Sequence, residues 1–269
     1  MATINASGNT SGALQSKKYQ IEFDEGRHPR GKVGFVLLAT EQTIPDDMFQ
    51  IFPEGVGIHF ARVNNPDVID NQTLAAIAPD LSIAAKSLLP DGSLDVVTYG
   101  CTSGSLVLGE DRVHDLLNRG APKAKASCII AAVIRALKAV DAQKIVVATP
   151  YLDEVNRAEY DYLSQRGFDV LDIQGLNLVR DSDMVKVSPT FILNMAAEID
   201  RPDADAIFIS CGALRSVDII EELEQRCGKP VITSNQAMAW DALRLAGIKD
   251  NIAGYGKLFS DSKISHHYA

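Results

Sequence analysis

The feature that most constrains this chain is an ordered repeat: a short apolar strand, a second strand ending in a cysteine, and then a proline, met twice. Val33-Gly-Phe-Val-Leu-Leu-Ala-Thr40 resembles Lys144-Ile-Val-Val-Ala-Thr149, and a turn and a helical pattern follow each. Cys101 lies 61 positions after Thr40, and Cys211 lies 62 after Thr149. The next proline comes 21 positions after the first cysteine, at Pro122, and 19 after the second, at Pro230. Runs of β-branched residues alternating with longer helical patterns are the signature of successive βαβ units, which close into parallel sheets covered by helices. Open parallel sheets bind ligands at the carboxyl ends of their strands. Two such units facing one another bring both cysteines to one cleft.

The expected fold is therefore α/β, with two pseudo-symmetric lobes, each a mainly parallel sheet flanked by helices, and a site between them. Strands are expected at Val33–Leu38, Gly57–Val63, Val96–Tyr99, Lys144–Ala148, Asp169–Ile173, Ala206–Ile209 and Val231–Thr233. Helices are expected at Asp67–Leu88, Gly109–Leu117, Ser127–Val140, Asp153–Arg166, Ser188–Glu198, Ser216–Cys227 and Gln236–Ala246. Residues 1–31, polar and aperiodic, read as a flexible arm; residues 32–143 and 144–259 form the lobes, with exchange of terminal elements allowed; residues 260–269 form a tail. The apolar content is mostly Ala, Val, Ile and Leu, with aromatics only 6%, the mix that parallel strands buried on both faces require.

A formal charge of −9 and a pI near 5.0 exclude the broad positive field that nucleic acids or anionic membranes select. No apolar run reaches a membrane span, and Met1 to Gln15 lacks the basic-then-apolar order of a signal peptide, so a cytoplasmic location is expected. The four cysteines show no CxxC spacing and the five histidines no HExxH set, so no metal and no disulfide is expected. Gly55-Val-Gly57 precedes a strand and lacks a third glycine, and Gly100-Cys-Thr-Ser-Gly104 lacks the Lys-Ser/Thr of a phosphate loop. No organic cofactor is expected either. The expected partner is a small carboxylate, and a homo-oligomer is compatible with the sequence.

The chemistry concentrates on Tyr99-Gly-Cys-Thr-Ser-Gly-Ser105 and Ile209-Ser-Cys-Gly-Ala-Leu-Arg215. Small residues around each cysteine let backbone N–H groups approach an anion. Thr102 and Ser103 offer donors at the first cysteine, Gly212 and Ala213 at the second. A helix starting near Ser216 is expected to place its positive end beside Cys211 and favour the thiolate. Tyr151, in Ala148-Thr-Pro-Tyr151, reaches the same level and can donate to a carboxylate. The competing reading for either cysteine alone is a small buried residue, which is the better reading for Cys128 and Cys227. Arg215 is expected to pair with Glu221 or Glu222 on the following helix, and Asp46 and Asp47 to sit at a helix N-terminus near Pro45.

At these residues the chain resembles the aspartate/glutamate racemase superfamily, and within it the branch of arylmalonate decarboxylases, maleate cis-trans isomerases and ectoine-utilisation EutA-like proteins. The resemblance rests on Tyr99-Gly-Cys-Thr-Ser-Gly, Ala148-Thr-Pro-Tyr-Leu-Asp-Glu-Val-Asn156, Ile209-Ser-Cys-Gly212, Trp240-Asp-Ala-Leu-Arg-Leu-Ala-Gly247 and Gly254-Tyr-Gly-Lys-Leu-Phe259, spanning roughly Lys32 to Phe259. It implies two lobes, no metal or organic cofactor, cysteine catalysis, and oxygen-holding roles for Thr102, Ser103, Tyr151 and Gly212. Arylmalonate decarboxylases carry glycine where this chain has Cys101, whereas racemases and maleate isomerases use two cysteines. The first-strand loop departs from the Ser-Ser-Asn of maleate isomerases: it reads Ala39-Thr-Glu41, and an acidic Glu41 repels a dicarboxylate. The expected function is a cofactor-independent two-cysteine isomerase or racemase of a small carboxylate, either an amino acid or a maleate-like diacid, with Cys101 and Cys211 catalytic. The alternatives are an arylmalonate-type decarboxylase with Cys211 as proton donor, and a small-acid-binding protein without turnover.

Overall fold

A computed structural model describes residues 16–261 and 264. The first fifteen residues of the expected arm, and residues 262, 263 and 265–269 of the expected tail, lie outside the described residues. The chain forms β1 (Gly31–Leu38), α1 (Ile44–Ile51), β2 (Val56–Val63), α2 (Asn71–Ala76), α3 (Ala78–Ser87), β3 (Val96–Tyr99), α4 (Thr102–Leu108), α5 (Glu110–Gly120), β4 (Lys125–Cys128) and α6 (Ile129–Ala139). It continues through β5 (Lys144–Thr149), α7 (Asp153–Gln165), β6 (Asp169–Gly175), α8 (Asp181–Met184), α9 (Pro189–Glu198) and β7 (Ala206–Ile209). A 3₁₀ turn (Val217–Ile219), α10 (Ile220–Cys227), β8 (Val231–Thr233), α11 (Ser234–Leu245) and α12 (Gly256–Ser260) complete it.

The strands form two four-stranded sheets of identical order, β2-β1-β3-β4 and β6-β5-β7-β8, and every pairing is parallel. In each sheet the chain runs outward from β1 or β5 to one edge, then returns to build the other side. The order therefore reverses between β1 and β3, and between β5 and β7, which opens a crevice at the carboxyl ends of those strands. Val33 to Leu37 of β1 and Ile145 to Val147 of β5 are buried without a break, as strands covered on both faces must be.

The two halves are joined by their last helices. Every residue of α11 from Ser234 to Arg244 is buried, so this helix runs through the interior with no solvent face. It packs along α6 and against α1 and β3 of the first half. Asp241, 1% exposed, accepts from Arg135 Nε at 2.5 Å and Nη2 at 2.6 Å and from Ser127 Oγ at 2.7 Å, so this buried carboxylate is bidentately paired. Thr233 and Gln236 form a capping box that starts α11, and Gln236 Nε2 donates to Tyr255 O at 2.7 Å.

Several expected elements are corrected. The expected helix Asp67–Leu88 begins instead with an extended segment, in which Val68 bridges Arg180, and then divides into α2 and α3. The Asp70–Thr73 capping box starts α2, and Pro79, without an N–H, is accommodated only in the first turn of a new helix. Residues 127 and 128 belong to β4, not to the helix expected from Ser127; Lys-Ala-Ser-Cys has no β-branched residue to signal a strand. The helix expected from Ser216 starts as a 3₁₀ turn at Val217, and its α-helical part begins only at Ile220. The short α4, α8 and α12 were not anticipated.

Candidate active site

Cys101 is the N-cap of α4 and is separated from β3 only by Gly100. The Gly104 N–H donates to its sulfur at 3.3 Å, Ser103 Oγ lies 3.7 Å from the same atom, and Ser105 Oγ donates to Cys101 O at 2.7 Å. Cys211 directly follows Ser210 at the end of β7 and has φ +96°, a conformation costly for any residue with a Cβ. Its N–H donates to Ser234 Oγ at 3.0 Å, and Ser234 Oγ also shares a hydrogen bond with Thr102 Oγ1 at 3.2 Å. One hydroxyl at the start of the buried helix α11 thus ties the two cysteine loops together.

The loop after β1 closes the site from a third side. Thr43 Oγ1 donates to Ala213 O at 2.9 Å, and Asn235 Nδ2 donates to both Asp47 Oδ2 (2.7 Å) and Gly212 O (2.8 Å). A Cβ on Gly100 would stand 3.1 Å from Ile44 Cδ1 of α1, and one on Gly212 would stand 2.8 Å from the same atom. Glycine at both positions therefore lets α1 approach the two cysteine loops.

The result is a small cavity of ≈20 Å³, lined by Cys101, Thr102, Ser103, Tyr151, Cys211, Gly212 and Ala213, that is, by all seven residues singled out in the sequence. Leu38, Glu41, Gly100 and Asp181 complete the lining. The volume holds about one water, so a substrate needs the cleft to open. The segments after β2 and β6 meet beside Asp181, one of its lining residues: Ile69 N–H donates to Val179 O at 3.0 Å, and Ser182 N and Oγ donate to Asp67 at 3.0 and 2.6 Å. A larger surface cavity of ≈280 Å³, between the loops preceding β3 and β4, is lined mostly by apolar side chains and holds neither thiol.

Electrostatics corrects the expectation that the setting favours thiolates. Burial pushes the Cys101 thiol up to about 11, with the charge of Asp181 as the next cause, and the Gly104 N–H offsets only part of this. Burial and then Asp181 also push the Cys211 thiol well above its usual value, while Tyr151 acts in the opposite sense. The helix expected from Ser216, whose positive end was to lie beside Cys211, becomes α-helical only at Ile220, nine positions after this thiol. Burial also raises Tyr151 well above its usual value, so its hydroxyl is a donor at neutral pH. Arg215 is corrected too: it donates to Val187 O at 3.2 Å and not to the carboxylates of α10. Asp46 and Asp47 lie in the first turn of α1, as expected from Pro45. Cys128, fully buried, ends β4, and Cys227 ends α10; neither lines the cavity.

Sequence reasoning missed Ser234 and Asp181. The hydroxyl-containing segment after Pro230 was visible, but its contact with Thr102 spans 132 positions. Asp181 sits in a polar stretch without periodicity and reaches the site by accepting from Thr40 Oγ1, 141 positions away.

Two facing parallel sheets with a cysteine at each switch point define the class: a two-lobed α/β protein of the aspartate/glutamate racemase type. The sequence model of the arylmalonate decarboxylase family matches residues 33–259, and the chain belongs to that family of enzymes. It is 34% identical to arylmalonate decarboxylase of Bordetella bronchiseptica over 134 residues, 49% of this chain and 56% of that protein. It is 23% identical to maleate isomerase of Nocardia farcinica over 246 residues, 87% of this chain and 98% of that protein. Among solved structures, the maleate isomerase Iso of Pseudomonas putida S16 superposes with a TM-score of 0.79 at 22% identity, covering 86% of this chain and 99% of that one. Among the described residues no helix is long and apolar enough to cross a membrane.

Proposed function

We propose that this enzyme is a two-cysteine isomerase or racemase acting on a small carboxylate, with Cys101 and Cys211 as the catalytic pair. The observation that carries this reading is the convergence of both thiols on one small cavity, each delivered by the switch-point strand of its own sheet. A thiol on either side of a carbon suits inversion. One thiolate takes the α-proton, the electron pair passes into the carboxylate as an enediolate, and the opposite thiol returns its own proton to the carbon. For a cis-trans isomerisation, one thiolate adds to the double bond, the new single bond rotates, and the thiolate leaves as the double bond re-forms.

Either route develops charge on the carboxylate oxygens. Thr102 and Ser103 at the start of α4, the Tyr151 hydroxyl, and the backbone of Gly212 and Ala213 are the groups suited to stabilise it. Covalent chemistry at a cysteine is supported by a relative: a maleate cis-trans isomerase variant of Nocardia farcinica, similar in fold, is described with a succinylcysteine intermediate.

The identity to the Bordetella decarboxylase favours a second reading, in which Cys211 alone protonates the enediolate left when carbon dioxide departs. Replacing each cysteine separately decides between them. In the two-cysteine enzyme, Cys101→Gly and Cys211→Ala each remove at least about a thousandfold of turnover on the native substrate while the fold persists. Turnover that survives in Cys101→Gly and is lost in Cys211→Ala establishes the decarboxylase instead.

A further inference from the structure

Tyr99 is the last residue of β3, two positions before Cys101, and it is fully buried. It belongs to the hydrophobic core of the first half and does not line the cavity. A phenol oxygen carried into an apolar core loses its water and needs a partner there. Among the described residues no nitrogen or oxygen pairs with Tyr99 Oη. What it faces is sulfur. A Cβ on Gly104 would collide with Tyr99 Oη and stand 3.0 Å from Cys101 Sγ, so hydroxyl and thiol converge on the one residue of α4 without a side chain. Of the two thiols near the phenol, Cys101 and Cys128, only Cys101 is placed to take its hydrogen.

The second half shows that the fold does not require this hydroxyl. The position two before Cys211 is Ile209, also fully buried at the end of its strand, and isoleucine fills that place with hydrocarbon alone. The phenol that meets Cys211 is Tyr151, which comes from the loop after β5 and lines the cavity. Tyr151 stands two positions after Thr149, and the residue two positions after Thr40 in the first half is Gln42, which is exposed. The repeat therefore supplies no tyrosine to Cys101 from that loop. Each thiol has its own phenol, but a different element delivers it.

Resting on the two-cysteine reading above, we propose that Tyr99 is a further catalytic residue, whose hydroxyl donates to the Cys101 sulfur from the core side and stabilises its thiolate. Burial and then the charge of Cys101 hold the Tyr99 hydroxyl well above its usual value, so the proton stays on oxygen when the sulfur loses its own. Together with the Gly104 N–H at 3.3 Å and Ser103 Oγ at 3.7 Å, Tyr99 opposes the burial and the Asp181 charge that raise this thiol. A donor behind the sulfur does so without filling the cavity in front of it, where the substrate has to come. A hydrogen bond to a charged acceptor shifts ionisation by about ten- to a hundredfold. Its loss leaves less thiolate, but a more basic sulfur attacks faster, so a thiolate reaction slows by only about three- to tenfold.

The test is alkylation by iodoacetamide without substrate at pH 8 to 9, followed peptide by peptide by mass spectrometry, with Cys211 in the same samples as the reference. Tyr99→Phe keeps the ring and removes the oxygen. Cys101 is expected to react about three- to tenfold more slowly in this variant than in wild type, while Cys211 changes by less than about twofold. Turnover on the native substrate is expected to fall by about the same factor with KM unchanged, because Tyr99 does not line the cavity. Tyr99→3-fluorotyrosine makes the phenol a stronger donor at nearly constant shape, so Cys101 should react faster than in wild type, by about twofold or more. A residue that only fills the core gives no such pair of opposite shifts. An unchanged or faster Cys101 in Tyr99→Phe overturns the inference, as does equal slowing of both thiols or unchanged turnover. If Tyr99→Phe does not fold, the 3-fluorotyrosine variant decides alone, and no acceleration at Cys101 overturns the inference. Slowed alkylation combined with turnover that survives Cys101→Gly places the failure in the two-cysteine reading and removes the catalytic role of Tyr99 with it.

Discussion

Glu159 of α7 sets up a stability test whose size follows from its position. The side chain is fully buried; Ser210 Oγ, one residue before Cys211, donates to Oε1 at 2.6 Å, and Oε2 has no partner among the described residues. Burial outweighs the single hydrogen bond and raises the carboxyl from 4.5 to about 7. Because the folded-state value lies above the unfolded one, the folded protein holds the extra proton between these limits. The group's contribution to stability is complete below pH 4.5, falls as pH rises, and is lost above pH 7. At about 1.4 kcal/mol for each pH unit, the displacement amounts to roughly 3 kcal/mol. Glu159→Gln keeps an acceptor for Ser210 and removes the titration. Urea unfolding at pH 5 and pH 8 should therefore show wild type losing more stability over that interval than the variant does, by about 2–3 kcal/mol. Parallel losses in the two proteins, within about 0.5 kcal/mol, would refute the reasoning, because the carboxyl would then titrate alike in the folded and unfolded chains.

Two further outcomes concern the site directly. Ser234→Ala removes the acceptor of the Cys211 N–H and leaves a buried donor unpaired, so stability should fall by about 1–3 kcal/mol and turnover by about tenfold or more, measured by thermal unfolding and initial rates. A folded variant with wild-type turnover would show that the strained cysteine backbone holds without this tether. With no substrate present, alkylation of Cys101 by iodoacetamide, followed by peptide mass spectrometry, should accelerate about tenfold for each pH unit from 8 to 10, because burial and Asp181 hold the thiol at about 11. A plateau by pH 8 would show an ordinary or activated thiol instead.

Much of the molecule is decided locally and was legible in the sequence. All seven strands expected from β-branched runs are present, with ends within a few residues of their expected places, because a parallel strand buried on both faces has to be apolar along its length. The repeat placed Cys101 and Cys211 at equivalent strand ends, and parallel topology then allowed them one crevice. What failed locally had weak local signals: β4 is made by Lys-Ala-Ser-Cys and becomes a strand through pairing with β3, and α4 starts in a run of small hydroxyl-bearing residues.

The sequence by itself determined the α/β class, the duplication and the candidate pair of thiols, because periodicity and spacing are properties of neighbours along the chain. Only the tertiary structure decided that α11 runs through the interior, that Ser234 ties Thr102 to Cys211, and that Asp181 stands beside the cavity with Glu41. It also reversed the expected state of the thiols, whose protonation is set by burial and by a carboxylate 80 positions from Cys101 and 30 from Cys211 along the chain. Desolvation and charge depend on distance in space, and no pattern of residues along the chain encodes that distance until the two sheets close on one another.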